Sequence, residues 1–287
     1  MILSRLPPSQ LGLVSAWLPE CRVIADLSWR DGSTTVLHVC SGGAEYIVKA
    51  GGPADHHIGR ELDAHGFDGG VDRVAAWRRD ESAARVVHAD RAHRLLVLCY
   101  LPGRLAYRTS AATDPEVHRR AGALLRRFHD QARVVQEGAD AAATRRTLQW
   151  LDGPHAIAPE VEARIREALR SAEASEPPLV PTHGDWQPRN WLVDRDRVRV
   201  IDLGRFAMRS ADTDFARLAA QEWLDSPECE VAFFEGYGGD PREPAHWRLV
   251  QLREAVATAA WARRVADAGF EAQGHRMIAA ALEAAPA

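Results

Sequence analysis

The stretch from Pro181 to Gly204, PTHGDWQPRNWLVDRDRVRVIDLG, holds two short β-type runs, Trp191 to Val193 and Arg197 to Ile201, separated by the polar triplet Asp194-Arg195-Asp196. Two such runs around a tight polar turn predict an antiparallel hairpin. Closing the hairpin brings its open ends together, so that Asn190, before the first run, meets Asp202, after the second. An amide oxygen and a carboxylate at one sheet end are the hard ligands that magnesium prefers, and they suffice when water and phosphate oxygens supply the rest. Asp185 lies in the loop ahead of Asn190, between Gly184 and Pro188, where a carboxylate can reach a substrate hydroxyl beside the same metal. Singly, an Asp after a strand or an Asn before one is a turn or cap residue. The combination H-G-D-x-x-x-x-N followed at hairpin distance by I-D-x-G points instead to chemistry.

Toward the N-terminus, every cationic side chain of the arginine and lysine kind is arginine except Lys49. A lysine kept in such a chain either survives by chance or marks a place where a planar guanidinium cannot replace a compact ammonium, which makes Lys49 a candidate. It lies in EYIVKA, one of four strand-like runs between Cys21 and Leu101; the others are RVIADL, TTVLHV and RLLVLCYL. The turns Asp31-Gly32 and Ser41-Gly42-Gly43 suit an antiparallel meander. One helical patch, ADHHIGRELDAHG, interrupts the strands, with Ile58 and Leu62 four apart, Glu61 near the same face and Gly66 as a stop.

After Pro102-Gly103 the pattern becomes helical. In TDPEVHRRAGALLRRFHDQA, Thr113 or Asp114 can cap, Pro115 sits in the first turn, and Val117, Ala121, Leu124, Leu125 and Phe128 keep helical spacing. PEVEARIREALRSA and the alanine-rich stretches after Pro244 extend the helical part. The expectation is an α+β fold of two lobes, residues 1–101 and 102–287, with a ligand cleft between them.

A chain of 287 residues with 46% hydrophobic residues can bury a sizeable core. A net charge of -4 argues against a general nucleic-acid binder, which needs a concentrated basic excess. The four cysteines, Cys21, Cys40, Cys99 and Cys229, show no C-x-x-C pair, so neither a zinc site nor a disulfide framework is indicated. Prolines and a glutamate break the N-terminal segment where a secretory signal needs an apolar run, and no apolar stretch is long enough to span a bilayer. These features predict a cytoplasmic protein that acts on a small molecule.

The segment Pro181 to Gly204 resembles the catalytic and metal-binding motifs of the aminoglycoside phosphotransferase and choline kinase superfamily, relatives of protein kinases. THGDWQPRN is similar to the catalytic loop, IDLG to the metal-binding D-x-G segment, and Arg127-Phe128-His129 to the end of the helix before them. The resemblance implies a bilobal protein-kinase-like fold with an N-terminal nucleotide-binding lobe. It implies ATP and Mg2+ as nucleotide and metal, Asp185 as catalytic carboxylate, and Asn190 and Asp202 as metal ligands. YIVK then resembles the third strand of the nucleotide lobe, with Lys49 on the phosphates and Glu61 as its helix partner. RLLVLCYLPG resembles the hinge that receives adenine, by position through the Cys99 carbonyl and the Leu101 amide. Ser33 and Thr34 sit where the family covers the phosphates, although the full G-x-G-x-x-G is missing and a plain hairpin turn is the alternative. Arg189 is expected to assist a phosphate or pair with an acid, His183 to make a structural hydrogen bond, and Asp214, with Asp212 as rival, to give buried support to the loop.

For the acceptor, Leu218 to Trp247 carries Glu222, Asp225, Glu228, Glu230, Glu235, Asp240 and Glu243 against Arg242 alone. An acidic wall suits a cationic hydroxylated substrate such as an aminoglycoside or a tuberactinomycin-like peptide, while solvated helix faces are the alternative. Trp186, Trp223, Phe233, Phe234 and Tyr237 are candidates either for a pocket wall or for core. A metabolic kinase for choline, a sugar or an amino alcohol uses the same machinery. A protein kinase is disfavoured by the lack of an A-P-E segment. A phosphoesterase built on His183, Asp185, Asn190 and Asp202 leaves Lys49 and Glu61 unexplained, and a nucleotide-binding pseudoenzyme leaves the full set of catalytic residue types without a use.

Overall fold

The computed structural model describes residues 5–29, 34–172 and 175–283. The strand-rich part runs α1 (Pro8–Trp17), β1 (Arg22–Asp26), β2 (Thr34–Ser41), β3 (Ala44–Gly51), α2 (His57–Ala64), α3 (Ala75–Arg79), β4 (Val86–Asp90), β5 (Leu95–Cys99). It continues through β6 (Arg104–Leu105), α4 (Pro115–His129), α5 (Ala139–Leu151), α6 (Pro159–Ser171), β7 (Val180–Thr182), β8 (Trp191–Asp194), β9 (Arg197–Val200) and β10 (Ala207–Arg209). The chain then becomes wholly helical: α7 (Ala216–Ala219), α8 (Glu222–Asp225), α9 (Pro227–Tyr237), α10 (Pro244–Arg264) and α11 (Ala268–Glu283). This is the expected α+β plan, with an antiparallel sheet ahead of a mainly helical remainder.

The first sheet has the order β1-β2-β3-β5-β4, antiparallel throughout. Both of its faces are covered, which is why RLLVLCYL reads as an unbroken apolar run. Leu95 and Val97 pack with Val14 of α1 and with Leu18 just after it, while Leu96 and Leu98 pack with Ile58 and Leu62 of α2. Lys49 pairs with Leu96 across β3 and β5, so it shares the α2 face. Two elements here escape the sequence reading. The opening segment forms α1, whose buried Gln10 donates to the carbonyls of Gly51 and His93. RVVHAD supplies the edge strand β4, whose half-buried residues show no clean alternation.

In the helical part Asp114, not Thr113, caps α4 by accepting from the Glu116 amide, and the apolar positions of that helix are buried as spaced. Helices α4 and α9 meet at their backbones: a Cβ on Gly122 would stand 2.1 Å from the Phe233 carbonyl oxygen, and one on Gly236 1.9 Å from that of Arg119. Trp186, Trp223, Phe233, Phe234 and Tyr237 all belong to the core that these helices close over, so they are core rather than pocket wall. A second core joins α5, α6, α10 and α11.

Candidate active site

The hairpin forms as the spacing requires: Trp191 pairs with Val200, and Arg197 with Asp194. Its turn is Arg195-Asp196, with Arg195 at a φ of 54°, and Asp194 belongs to the strand. At the open end the Ile201 amide donates to the Asn190 carbonyl at 3.1 Å, which holds the two arms together beside Asp202. Asp202 has a φ of 66°, a left-handed conformation that aspartate tolerates better than most side chains.

Lys49 reaches across to this end. Its ammonium donates to Glu61 at 2.7 and 3.0 Å and to Asp202 Oδ1 at 3.2 Å. Burial alone would depress the ammonium, but Asp202 and Glu61 outweigh it and hold its pKa above the ordinary value. Glu61 is sealed while the Asp202 side chain is 48% exposed, so one end of the bridge is core and the other faces open space. Lys49 above all lowers the pKa of Asp202.

Asp185 is almost fully buried, and its two oxygens are differently used. Oδ1 accepts from Gln187 Nε2 and lies 2.9 Å from the Arg217 guanidinium. Oδ2 accepts from Asn190 Nδ2 at 3.0 Å, with Arg189 Nε at 4.0 Å. Burial works to raise the pKa of this carboxyl, but Arg217, Arg205 and Arg189 hold it well below the usual carboxylate range. The Asn190 amide donates to the Asp185 carbonyl as well, at 2.7 Å, so its NH2 end is spent and its oxygen remains available. That oxygen and the exposed carboxylate of Asp202 fit the oxygen-rich, partly solvated preference of magnesium.

The loop itself hangs on Asp214, which accepts from the His183 amide at 2.8 Å, the Gly184 amide at 2.6 Å and His129 Nε2 at 3.1 Å. Asp212 lies instead by His246. His183 spends its ring on Ile201 O, at 3.1 Å, and on the Asp185 amide, at 3.2 Å, a structural use. Gly184, with a φ of 80°, is packed so closely that a Cβ would sit 2.4 Å from the Arg205 carbonyl oxygen.

A sequence profile of the phosphotransferase enzyme family (APH) matches residues 29–250, most of the chain. The chain belongs to this family. No curated protein gives a significant sequence match. Among solved structures, a choline/ethanolamine kinase family protein from Mesorhizobium loti superposes on this phosphotransferase with a TM-score of 0.67 at 19% identity, covering 99% of this chain and 94% of that one. The macrolide 2'-phosphotransferase MphH from Brachybacterium faecium gives 0.64 at 17%, covering 98% and 100%. Spectinomycin phosphotransferase APH(9)-Ia, solved with ADP and spectinomycin, gives 0.59 at 12%, covering 94% and 96%. At these identities the likeness is one of fold.

The remaining candidate residues of this phosphotransferase fall as follows. Ser33 lies outside the described residues. Thr34 opens β2, and its hydroxyl donates to Asp55. Cys99 ends β5, with its amide donating to Arg85 O, and the Leu101 amide makes no hydrogen bond among the described residues. Arg189 stacks on Trp29, its guanidinium carbon 5.1 Å from the ring centroid. Sequence reading missed Arg217, Arg205 and Gln187 around Asp185, as well as Glu254, whose Oε1 lies 3.0 Å from Arg217 Nε. Among so many arginines nothing local distinguished these two. Only Gln187, inside the quoted loop, carried a positional signal.

Proposed function

We propose that this phosphotransferase moves the γ-phosphoryl group of ATP to a hydroxyl of a small molecule. The observation that carries the proposal is the Lys49 ammonium bridging Glu61 and Asp202 at the mouth of a hairpin that also presents Asn190 and Asp185. A phosphoesterase has no use for that bridge, whereas a nucleotide phosphate does.

Asp202 and Asn190 would hold magnesium, which when bound supplies positive charge to the phosphate oxygens. Lys49 draws the inner phosphates toward the sheet, and the free Leu101 amide and Cys99 carbonyl would take the adenine. Asp185 Oδ1 is filled by Gln187 and Arg217, so Oδ2 is the oxygen that receives the acceptor hydroxyl. Because its pKa is depressed, Asp185 is a weak base. It orients the hydroxyl and takes its proton late, which matches a loose phosphoryl-transfer transition state in which positioning and charge neutralisation dominate. Such chemistry belongs in the cytoplasm, where ATP is; among the described residues no helix is long and apolar enough to cross a membrane.

An antibiotic acceptor, with resistance as the outcome, draws support from the likeness to the macrolide and spectinomycin phosphotransferases, and a metabolic acceptor from the choline/ethanolamine kinase family structure. Four acids of the acidic stretch are engaged within the fold. Glu230 and Asp240 both bind Arg242, Glu235 binds Arg119, and Glu243 caps α10. The test is a coupled assay of ADP formation with ATP and magnesium against antibiotics, choline and sugars, with Asp185→Ala as control. Acceptor-dependent turnover by the intact protein, reduced about 10²- to 10⁴-fold in the variant, is expected. Absence of ATP binding would sink the proposal.

A further inference from the structure

Helix α2 holds the Asp202-Leu203-Gly204 segment at both ends, and the Lys49 bridge is one hold of the two. His57 and Glu61 lie four residues apart in α2, and so on one face of it. Glu61 reaches Asp202 through the Lys49 ammonium, which donates to Asp202 Oδ1 at 3.2 Å. His57 reaches the other end, with its Nδ1 standing 2.9 Å from the Gly204 carbonyl oxygen. A carbonyl oxygen can only accept, so the imidazole donates and its Nδ1 carries the proton.

His57 is itself fixed at the start of the helix. Asp55 Oδ1 accepts from the His57 amide at 2.8 Å and from the Ile58 amide at 3.1 Å, and Asp55 Oδ2 accepts from the Thr34 hydroxyl of β2. The segment it grips has less support of its own: β9 ends at Val200 and β10 begins at Ala207, so Asp202 to Gly204 lies outside the strands. Gly204 is packed between the histidine and the carboxylate. A Cβ there would stand 2.9 Å from His57 Cβ and 3.1 Å from Asp202 Oδ1. With Asp202 Oδ1 taken by Lys49, Oδ2 is the oxygen left to a metal.

We infer that His57 is a positioning residue for the metal site: its hydrogen bond to Gly204 fixes the segment so that the Asp202 carboxylate is held in one orientation beside Asn190. This inference rests on the phosphotransferase reading above. The imidazole touches neither nucleotide nor metal in this role; it acts through the Gly204 carbonyl. A contact of this outer kind aims a ligand that would otherwise have to be ordered when the metal arrives, and its loss costs about 10- to 100-fold in metal affinity. Because His57 and Glu61 sit on one helix, α2 sets the phosphate-binding ammonium and the metal-binding carboxylate together.

The test compares three variants of the intact protein. His57→Asn puts an amide nitrogen where Nδ1 stands, His57→Gln carries its amide out toward the place of Nε2, and His57→Leu has no donor. Binding of a non-hydrolysable ATP analogue is measured by titration calorimetry with magnesium and again with EDTA, and the ratio of the two affinities is the gain that magnesium supports. Wild type and His57→Asn are expected to show nearly the same gain. His57→Gln and His57→Leu should lose about 10- to 100-fold of it, with their metal-free affinity unchanged. A wild type without a gain, or a gain indifferent to His57→Leu and His57→Gln, overturns the inference. A loss as large in His57→Asn as in His57→Leu also overturns it, because the ring's bulk and not its donor would then be the cause. So does a fall in metal-free affinity equal to the fall with magnesium, which marks a merely structural residue. If His57→Leu does not fold, His57→Asn and His57→Gln decide. A wild type that binds no nucleotide in either condition defeats the phosphotransferase proposal and this inference with it, whereas nucleotide binding with a gain untouched in the variants defeats this inference alone.

Discussion

At the scale of single residues, the site is governed by how carboxylates are compensated. Asp185 owes its low pKa chiefly to Arg217, so Arg217→Gln should raise that pKa and move the acid limb of the kcat/KM profile to higher pH, with a fall in kcat from the misplaced carboxylate. Rate measurements across pH check this, and an unmoved acid limb would show that Arg217 is merely structural. Glu222 is the opposite case, with burial pushing its carboxyl up to about 7. A raised folded-state pKa favours the protonated form, so the penalty is absent below the unfolded value of about 4.3 and grows as pH rises toward 7. Glu222→Gln should therefore stabilise the protein at pH 8, by up to about 3 kcal/mol, and change little at pH 4. Thermal melts at the two pH values decide. The sequence could name Asp185 because its loop is contiguous, but it could not name Arg217 or Glu254, which approach from distant helices.

At the scale of elements, the close contact of α4 and α9 is what lets the Asp214–His129–Tyr237 chain form, with Tyr237 OH 2.8 Å from His129 Nδ1. Gly122 and Gly236 are at the contact because no other residue lets two helix backbones approach so far. Gly122→Ala places a methyl 2.1 Å from the Phe233 carbonyl oxygen and should destabilise the protein by about 1–3 kcal/mol, read from the urea midpoint. The loss should exceed that of a Gly138→Ala change only if the helices cannot separate, since a Cβ on Gly138 meets nothing within 4 Å but carries its own left-handed strain at a φ of 73°. Helix α4 was legible because cap, proline and apolar spacing agree. Strand β4 was not, since its residues are half buried and its pattern lies in its partner β5.

At the scale of the whole molecule, buried carboxylates with depressed pKa values bind the catalytic loop to the helical part: Asp185 through Arg217 and Glu254 to α10, and Asp214 through His129 to α4. A depressed folded-state pKa contributes stability that is complete above the unfolded value of about 3.9 and is lost as pH falls through the native value. Acid unfolding should thus steepen below about pH 4, and circular dichroism followed downward in pH should show it. In Arg217→Gln the Asp185 share of that stability should be gone already at neutral pH. The sequence by itself determined the fold class, the hairpin whose open end carries Asn190 and Asp202, and the lysine at Lys49, because each is written in local period or contiguous motif. Which arginines surround Asp185, that Asp214 rather than Asp212 carries the loop, and that Glu230, Glu235 and Asp240 of the acidic stretch are held by arginines were decided only by tertiary structure. Those facts depend on distances between residues far apart in the chain, which local propensity does not encode.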